Sequence, residues 1–267
     1  MPFTISHVAA VLPLPRKRLV FSALVFGSVS PDLPHLILLP EVSRYGHSLA
    51  GLFVASVPLG FAALALFHFV LKNPLLALSP DTIRLRVPVQ GPFQLGPASR
   101  TVWILVSVLI GAITHILWDS FTHAHGSLVT AWPLLRDGTP FWPYRPIYQF
   151  LQPFFSVIGL AAIWLVSWNW IRRTPLLEEA VVPQVFPAST RVASLAAGAV
   201  LIGTLGLTYS WLKLGWGSAG FWTVLAQFLF GSMAAGFLIT LLYSAYWHLG
   251  RHRVPMMQRE CRRLTLK

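Results

Sequence analysis

The sequence predicts an all-α fold: a polytopic integral membrane helical bundle of about five spanning helices, preceded by an N-terminal hairpin of short helices. Three observations predict it. Of 267 residues, 55% are hydrophobic and 10% charged, whereas an ordinary soluble domain carries roughly 25% charged residues. Apolar runs recur that are long enough to cross a bilayer, which takes about 20 residues at a rise of about 1.5 Å each. The 11 tryptophans suit the aromatic belts of the two membrane–water interfaces.

Taken in order, residues 3–14 (FTISHVAAVLPL) form an apolar run too short to span, with Thr4 or Ser6 available as its cap. Pro13, Pro15 and the basic cluster Arg16-Lys17-Arg18 read as a turn. Because that cluster follows an apolar stretch, the N-terminus does not read as a signal peptide. Residues 19–30 make a second short run ending at Pro31. Two short helices joined by a tight turn lie antiparallel, which brings His7 level with Asp32. The alternative is a single kinked span over residues 19–39, which leaves His7 on the opposite side.

Residues 40–48 read as a connecting loop and Leu49 to Leu71 as a spanning helix kinked at Pro58 and Gly60. A polar, Pro/Gly-rich loop is expected from Lys72 to Arg100, with short strands around Ile83 to Val89. Further spans are expected at Thr101 to Trp118, Phe150 to Ile171, Val192 to Leu212 and Phe221 to Trp247. The whole reads as one membrane domain over 1–250, its metal-site half in about 1–150 and additional spans in 150–248. A basic tail, 251–267, follows.

The net charge of +12 is scattered at segment ends. Membrane orientation and anionic lipid headgroups account for it, so lipids are the expected partners and no nucleic acid is expected. With the tail placed in the cytoplasm, sixteen of the 20 Lys and Arg residues fall on the inner side. The positive-inside rule then gives a multi-pass protein of the bacterial cytoplasmic membrane, with a cytoplasmic C-terminus. On that orientation His35, His47, Asp119 and His123 lie toward the outer face.

The stretch that carries chemistry is GAITHILWDSFTHAHG, residues 111–126. Its His115, Asp119 and His123 are spaced by four, which puts them on one helix face. Histidines at i and i+4 are a common zinc-holding pair, and an aspartate between them can bridge two cations. Taken singly, an Asp at a helix end can cap and a His can hydrogen-bond in a core. Ionisable groups together at membrane depth point to function. The metal-ligand candidates are His7, Asp32, His35, His47, His115, Asp119 and His123.

Mixed imidazole and carboxylate donors suit zinc first, then manganese or iron, as one or two ions. Asp32 and Asp119 are the catalytic carboxylates, either able to bridge. Arg44 and Arg145 are candidates for holding a substrate phosphate. The lone cysteine, Cys261, excludes an internal disulfide and a cysteine-rich metal site. No P-loop, dinucleotide fingerprint or serine nucleophile elbow is present.

The opening MPFTISHVAAVLPL, then SALVFGSVSPD, HSLAGLF and IGAITHILWDSFTHAHG, resemble a bacterial membrane-protein family known only as a domain of unknown function. The likeness covers most of the first 150 residues. That family is distantly similar to inner-membrane proteins classed as metal-dependent hydrolases. Its H-x-x-x-D element is similar to one in zinc-dependent phospholipase C and related single-strand nucleases. The resemblance implies ligand roles for His7, Asp32, His47, His115 and Asp119, and supports His35 and His123 less firmly. Those soluble enzymes carry a further H-x-x-x-E helix that this chain lacks, so a full trinuclear site is not expected.

The expected function is metal-dependent hydrolysis of a phosphoester, with a phospholipid as the substrate the membrane setting favours, at the outer face. Two rivals stand beside it. One is an ion or proton transporter that uses the His/Asp cluster. The other is a non-catalytic membrane protein clipped together by metal.

Overall fold

The computed structural model describes residues 4–37, 39–87, 93–137, 146–177, 186–215, 217 and 220–251, and among these there are helices and no strand. Five helices are long and apolar enough to cross a membrane: Leu49–Leu78, Ala98–Ala131, Ile147–Arg173, Ala188–Leu214 and Phe221–Gly250. They mark a multi-pass membrane protein. The chain packs as two compact units, residues 1–65 with 94–175 and residues 66–93 with 176–267. The candidate ligands that are described all fall in the first unit.

In the first unit a 3-10 helix, Thr4–Val11, and an α-helix, Phe21–Val29, form the expected hairpin. At its open end the Thr4 hydroxyl donates to Asp32 Oδ2 at 2.7 Å. The chain tightens to a 3-10 helix over Ser30–Ile37, where Pro31 and Pro34 supply no N–H for α-type bonding. The Phe21–Val29 helix then crosses the Ala98–Thr122 helix very closely. A Cβ on Gly27 would lie 2.2 Å from the Val108 carbonyl oxygen, and one on Gly111 would lie 2.3 Å from that of Leu24. Small residues permit such backbone approach where lipid offers no hydrophobic drive between helices. Ile147–Arg173 backs the Thr4–Val11 helix, its Gly159 leaving room for the Ser6 backbone.

Three expectations are corrected. The loop expected over 40–48 contains the helix Pro40–Gly46, started by Pro40 at its first position, where no N–H is missed. The first span continues past Leu71 to Leu78. It accommodates Pro58 and Pro74 by opening into π-turns at Leu52–Ser56 and Phe67–Leu71 just before them. The strands expected around Ile83 to Val89 give way, as far as Val87, to a helical turn at Asp81–Arg84. Asp81 accepts from Arg84 one turn on, which favours the helical turn over an extended strand. Pro88 and Val89 lie outside the described residues, as does the basic tail beyond Arg251.

In the second unit Ala188–Leu214 and Phe221–Arg251 pair antiparallel, with Gly206 against Ser232 and Gly231 against Tyr209. Arg191 is buried and makes a bidentate contact with Asp81 at 2.7 and 3.0 Å. His248, near the end of the last helix, has a specific task. Its Nε2 lies 2.9 Å from the Val70 carbonyl, the acceptor that Pro74 leaves without its helical donor.

Candidate metal centre

Four segments of the first unit meet at one point. The Thr4–Val11 helix brings His7, the Ser30–Ile37 segment brings Asp32, and the end of Pro40–Gly46 brings His47. The Ala98–Thr122 helix brings His115 and Asp119. His7, Asp32, His115 and Asp119 are buried. The His47 side chain is 27% exposed.

Two main-chain carbonyls fix how the central histidines point. His115 Nδ1 lies 2.8 Å from the Ser28 carbonyl, and His47 Nδ1 lies 2.7 Å from that of Ser43. A carbonyl only accepts, so both Nδ1 atoms carry a proton, and each ring, in its neutral form, turns a bare Nε2 inward. Those two Nε2 atoms face each other at 3.2 Å. Asp119 Oδ2 lies 3.3 Å from each of them. Three electron-rich atoms thus form a nearly equilateral triangle. Tetrahedral zinc with bonds of about 2.0–2.1 Å sets its ligands about 3.3–3.4 Å apart. Asp32 Oδ1 stands 3.6 and 3.8 Å from the same two nitrogens. Two overlapping ligand groups are therefore geometrically competent to hold an ion: His47, His115 and Asp119, and His7, Asp32 and His115.

The polar accounting points the same way. Both His7 ring nitrogens and Asp32 Oδ1 are buried and have no hydrogen-bond partner among the described residues. Leaving such groups unpaired is costly, and an ion or water held between them would satisfy them. His7 Nε2 lies 3.5 Å from Asp119 Oδ1, and the His7 ring stacks on His115 at 3.9 Å. Burial, and then the neighbouring His115, hold the His7 pKa down to about 3 against the pull of Asp119 and Asp32. A neutral imidazole results, the form a metal requires. For His47, burial opposes the charged form, but the hydrogen bond to Asp119 and its other acceptors outweigh burial and raise its pKa.

The remaining candidates are placed as follows. His123 caps the Ala98–Thr122 helix, its Nδ1 3.2 Å from both Asp119 Oδ1 and Thr122 Oγ1. His35 is half-buried and outside both ligand groups. Its pKa is lowered by burial, with the Asp32 charge opposing. Arg44 pairs with Glu41 at 2.9 Å on an exposed surface. Arg145 lies outside the described residues.

Sequence reasoning considered Thr4 only as a helix cap, yet Thr4 holds Asp32. Replacing Thr4 with valine keeps the shape and removes that donor. If the candidate centre holds an ion, the change should weaken its binding about 10- to 100-fold, the usual cost of an outer-shell partner, as measured by competition with a metallochromic chelator. Ser28 and Ser43 contribute through carbonyl oxygens that every residue carries, so no side-chain pattern announces them.

No curated protein and no solved structure matches the chain. A family model does, over residues 1–245. The chain therefore belongs to the family described as Domain of unknown function (DUF4184).

Proposed function

We propose that this protein is a membrane-embedded, metal-dependent hydrolase of phosphoesters. The site would face the outer side of the bacterial cytoplasmic membrane and the C-terminus the cytoplasm. The observation that carries the reading is the triangle of His47 Nε2, His115 Nε2 and Asp119 Oδ2, with edges of 3.2, 3.3 and 3.3 Å. Zinc fits its donors and edge lengths, and manganese or iron share the donor preference. A second ion would bind on the His7 side, where both His7 ring nitrogens lack a hydrogen-bond partner among the described residues and the Asp119 carboxylate can bridge.

A divalent ion there supplies a Lewis acid for the phosphoryl oxygen and lowers the pKa of a water nucleophile. The chain's residues do the rest. The Ser28 and Ser43 carbonyls keep both rings presenting bare nitrogens. Thr4 occupies Asp32 Oδ2 and leaves Oδ1 turned to the site, where it can take the proton of the attacking water. Two carboxylates and neutral imidazoles balance the charge of one divalent ion.

The test is hydrolysis of bis(p-nitrophenyl) phosphate by purified protein stripped with chelator and reloaded with zinc or manganese. Activity should vanish on stripping, return on reloading and be lost in Asp32→Asn. Activity indifferent to chelator would overturn the reading. A pH effect follows as well. A raised His47 pKa means that the protonated ring, paired with Asp119, steadies the ion-free fold below its ordinary pKa. That contribution disappears as pH rises through the raised value. An ion takes the proton's place, so ion uptake near neutral pH should release about one proton and weaken as pH falls, readable with a pH indicator in unbuffered solution.

A further inference from the structure

We infer that the short helix Pro40–Gly46 lies in the lipid headgroup boundary and that the site takes a bilayer-resident lipid, delivered sideways past this helix to the His47 edge. The substrate half of this inference rests on the hydrolase reading; the placement of the helix does not.

The helix has two unlike faces. On the inner one, Ser43 is 1% exposed; its hydroxyl donates to the Pro31 carbonyl at 3.0 Å, and its own carbonyl takes the His47 Nδ1 proton. The Ser56 hydroxyl donates to the Gly46 carbonyl at 2.9 Å, fastening the helix end to the first span. On the outer side, Val42 and Tyr45 are exposed, and so are Ile37 and Leu39 before them and Leu49 after. Glu41 and Arg44 are the helix's only charges, and they neutralise each other.

So large an exposed apolar surface marks a contact site, and the chain itself identifies what covers it. Leu49 opens the first span, and its exposed Phe53 and Val54 continue the same surface into membrane-crossing helix. An amphipathic helix with an interfacial tyrosine, joined directly to a span, lies in the plane of the bilayer surface. Its inner face holds the ligand of the triangle that is most open, at 27% for the His47 side chain against 0% and 11% for His115 and Asp119. The most open edge of the triangle is therefore the one beside this helix, the edge that lipid delivered past the helix would reach first.

The test uses the single cysteine. In a Cys261→Ser background in phospholipid nanodiscs, Val42→Cys and Glu41→Cys are spin-labelled, and collision with oxygen is compared with collision with a water-soluble nickel chelate. The Val42 label should favour oxygen and the Glu41 label the chelate. Equal chelate access at both would overturn the placement. In parallel, Val42→Asp should slow hydrolysis of vesicle phospholipid about tenfold or more and leave the rate on bis(p-nitrophenyl) phosphate unchanged. Equal losses on both would overturn sideways delivery. A wild-type protein that hydrolyses neither defeats the hydrolase reading and the substrate half with it, while the two labels still decide where the helix lies.

Discussion

On the proposed metal-centre reading, replacing His115 with alanine should abolish ion binding by the purified protein. His115 is fully buried, contributes one corner of the triangle and is 3.2 and 3.3 Å from the other two corners. Both ligand groups that could hold an ion include it. Losing an outer-shell partner typically costs about 10- to 100-fold in affinity, so losing this ligand should cost more than about 100-fold. Elemental analysis of detergent-purified protein reads the result directly. Because His115→Ala also opens a buried cavity, His47→Ala and Asp119→Asn serve as companions. The first acts at a part-exposed side chain and the second preserves shape. Ion content equal to wild type in all three variants would rule out a metal centre here.

A single methyl group at Gly111 should disturb both the fold and the site. A Cβ there would sit 2.3 Å from the Leu24 carbonyl oxygen and 2.7 Å from the Ser28 amide nitrogen. Both obstacles are backbone, so no rotamer change relieves them. Overpacking costs about 1–3 kcal/mol, and rigid surroundings favour the upper end. That corresponds to a fall of roughly 5 °C or more in the unfolding midpoint for a protein of this size. The Phe21–Val29 helix must move away, taking with it the Ser28 carbonyl that orients His115. Ion affinity should therefore fall together with stability. Gly198→Ala is the control, since a Cβ there meets nothing within 4 Å. Thermal unfolding in detergent separates the two, and equal midpoints for the two variants would refute the close crossing.

The five long apolar runs were legible in the sequence because hydrophobic length is a direct requirement of the bilayer. So was the hairpin, since Pro13 and Pro15 leave two short runs little choice but to fold back. The loop residues 40–48 were misread because seven residues are too few to show helical periodicity. Likewise, short strands were expected around Ile83 to Val89, while as far as Val87 the Asp81–Arg84 pair favours a helical turn. At the site, four-residue spacing brought forward His115, Asp119 and His123. It did not show that His123 stands at the helix C-cap, where its Nδ1 meets Asp119 Oδ1 at 3.2 Å. Spacing was silent, too, on Thr4, whose partner Asp32 is 28 residues away. Arg44 looked suited to a phosphate from its position near His47. It pairs on an exposed surface with Glu41, one helical turn back.

The atoms that aim His47 and His115 belong to the peptide backbone, and this decides what a mutational survey can detect. An alanine scan would find the ligands by their loss and pass over Ser28, whose carbonyl survives any substitution that keeps the helix in place. Aim is encoded in the path of two chain segments, and glycines such as Gly27 and Gly111 are its visible genetic trace. The centre's orienting framework can therefore outlast wide sequence drift around it, provided that the helices keep their close approach.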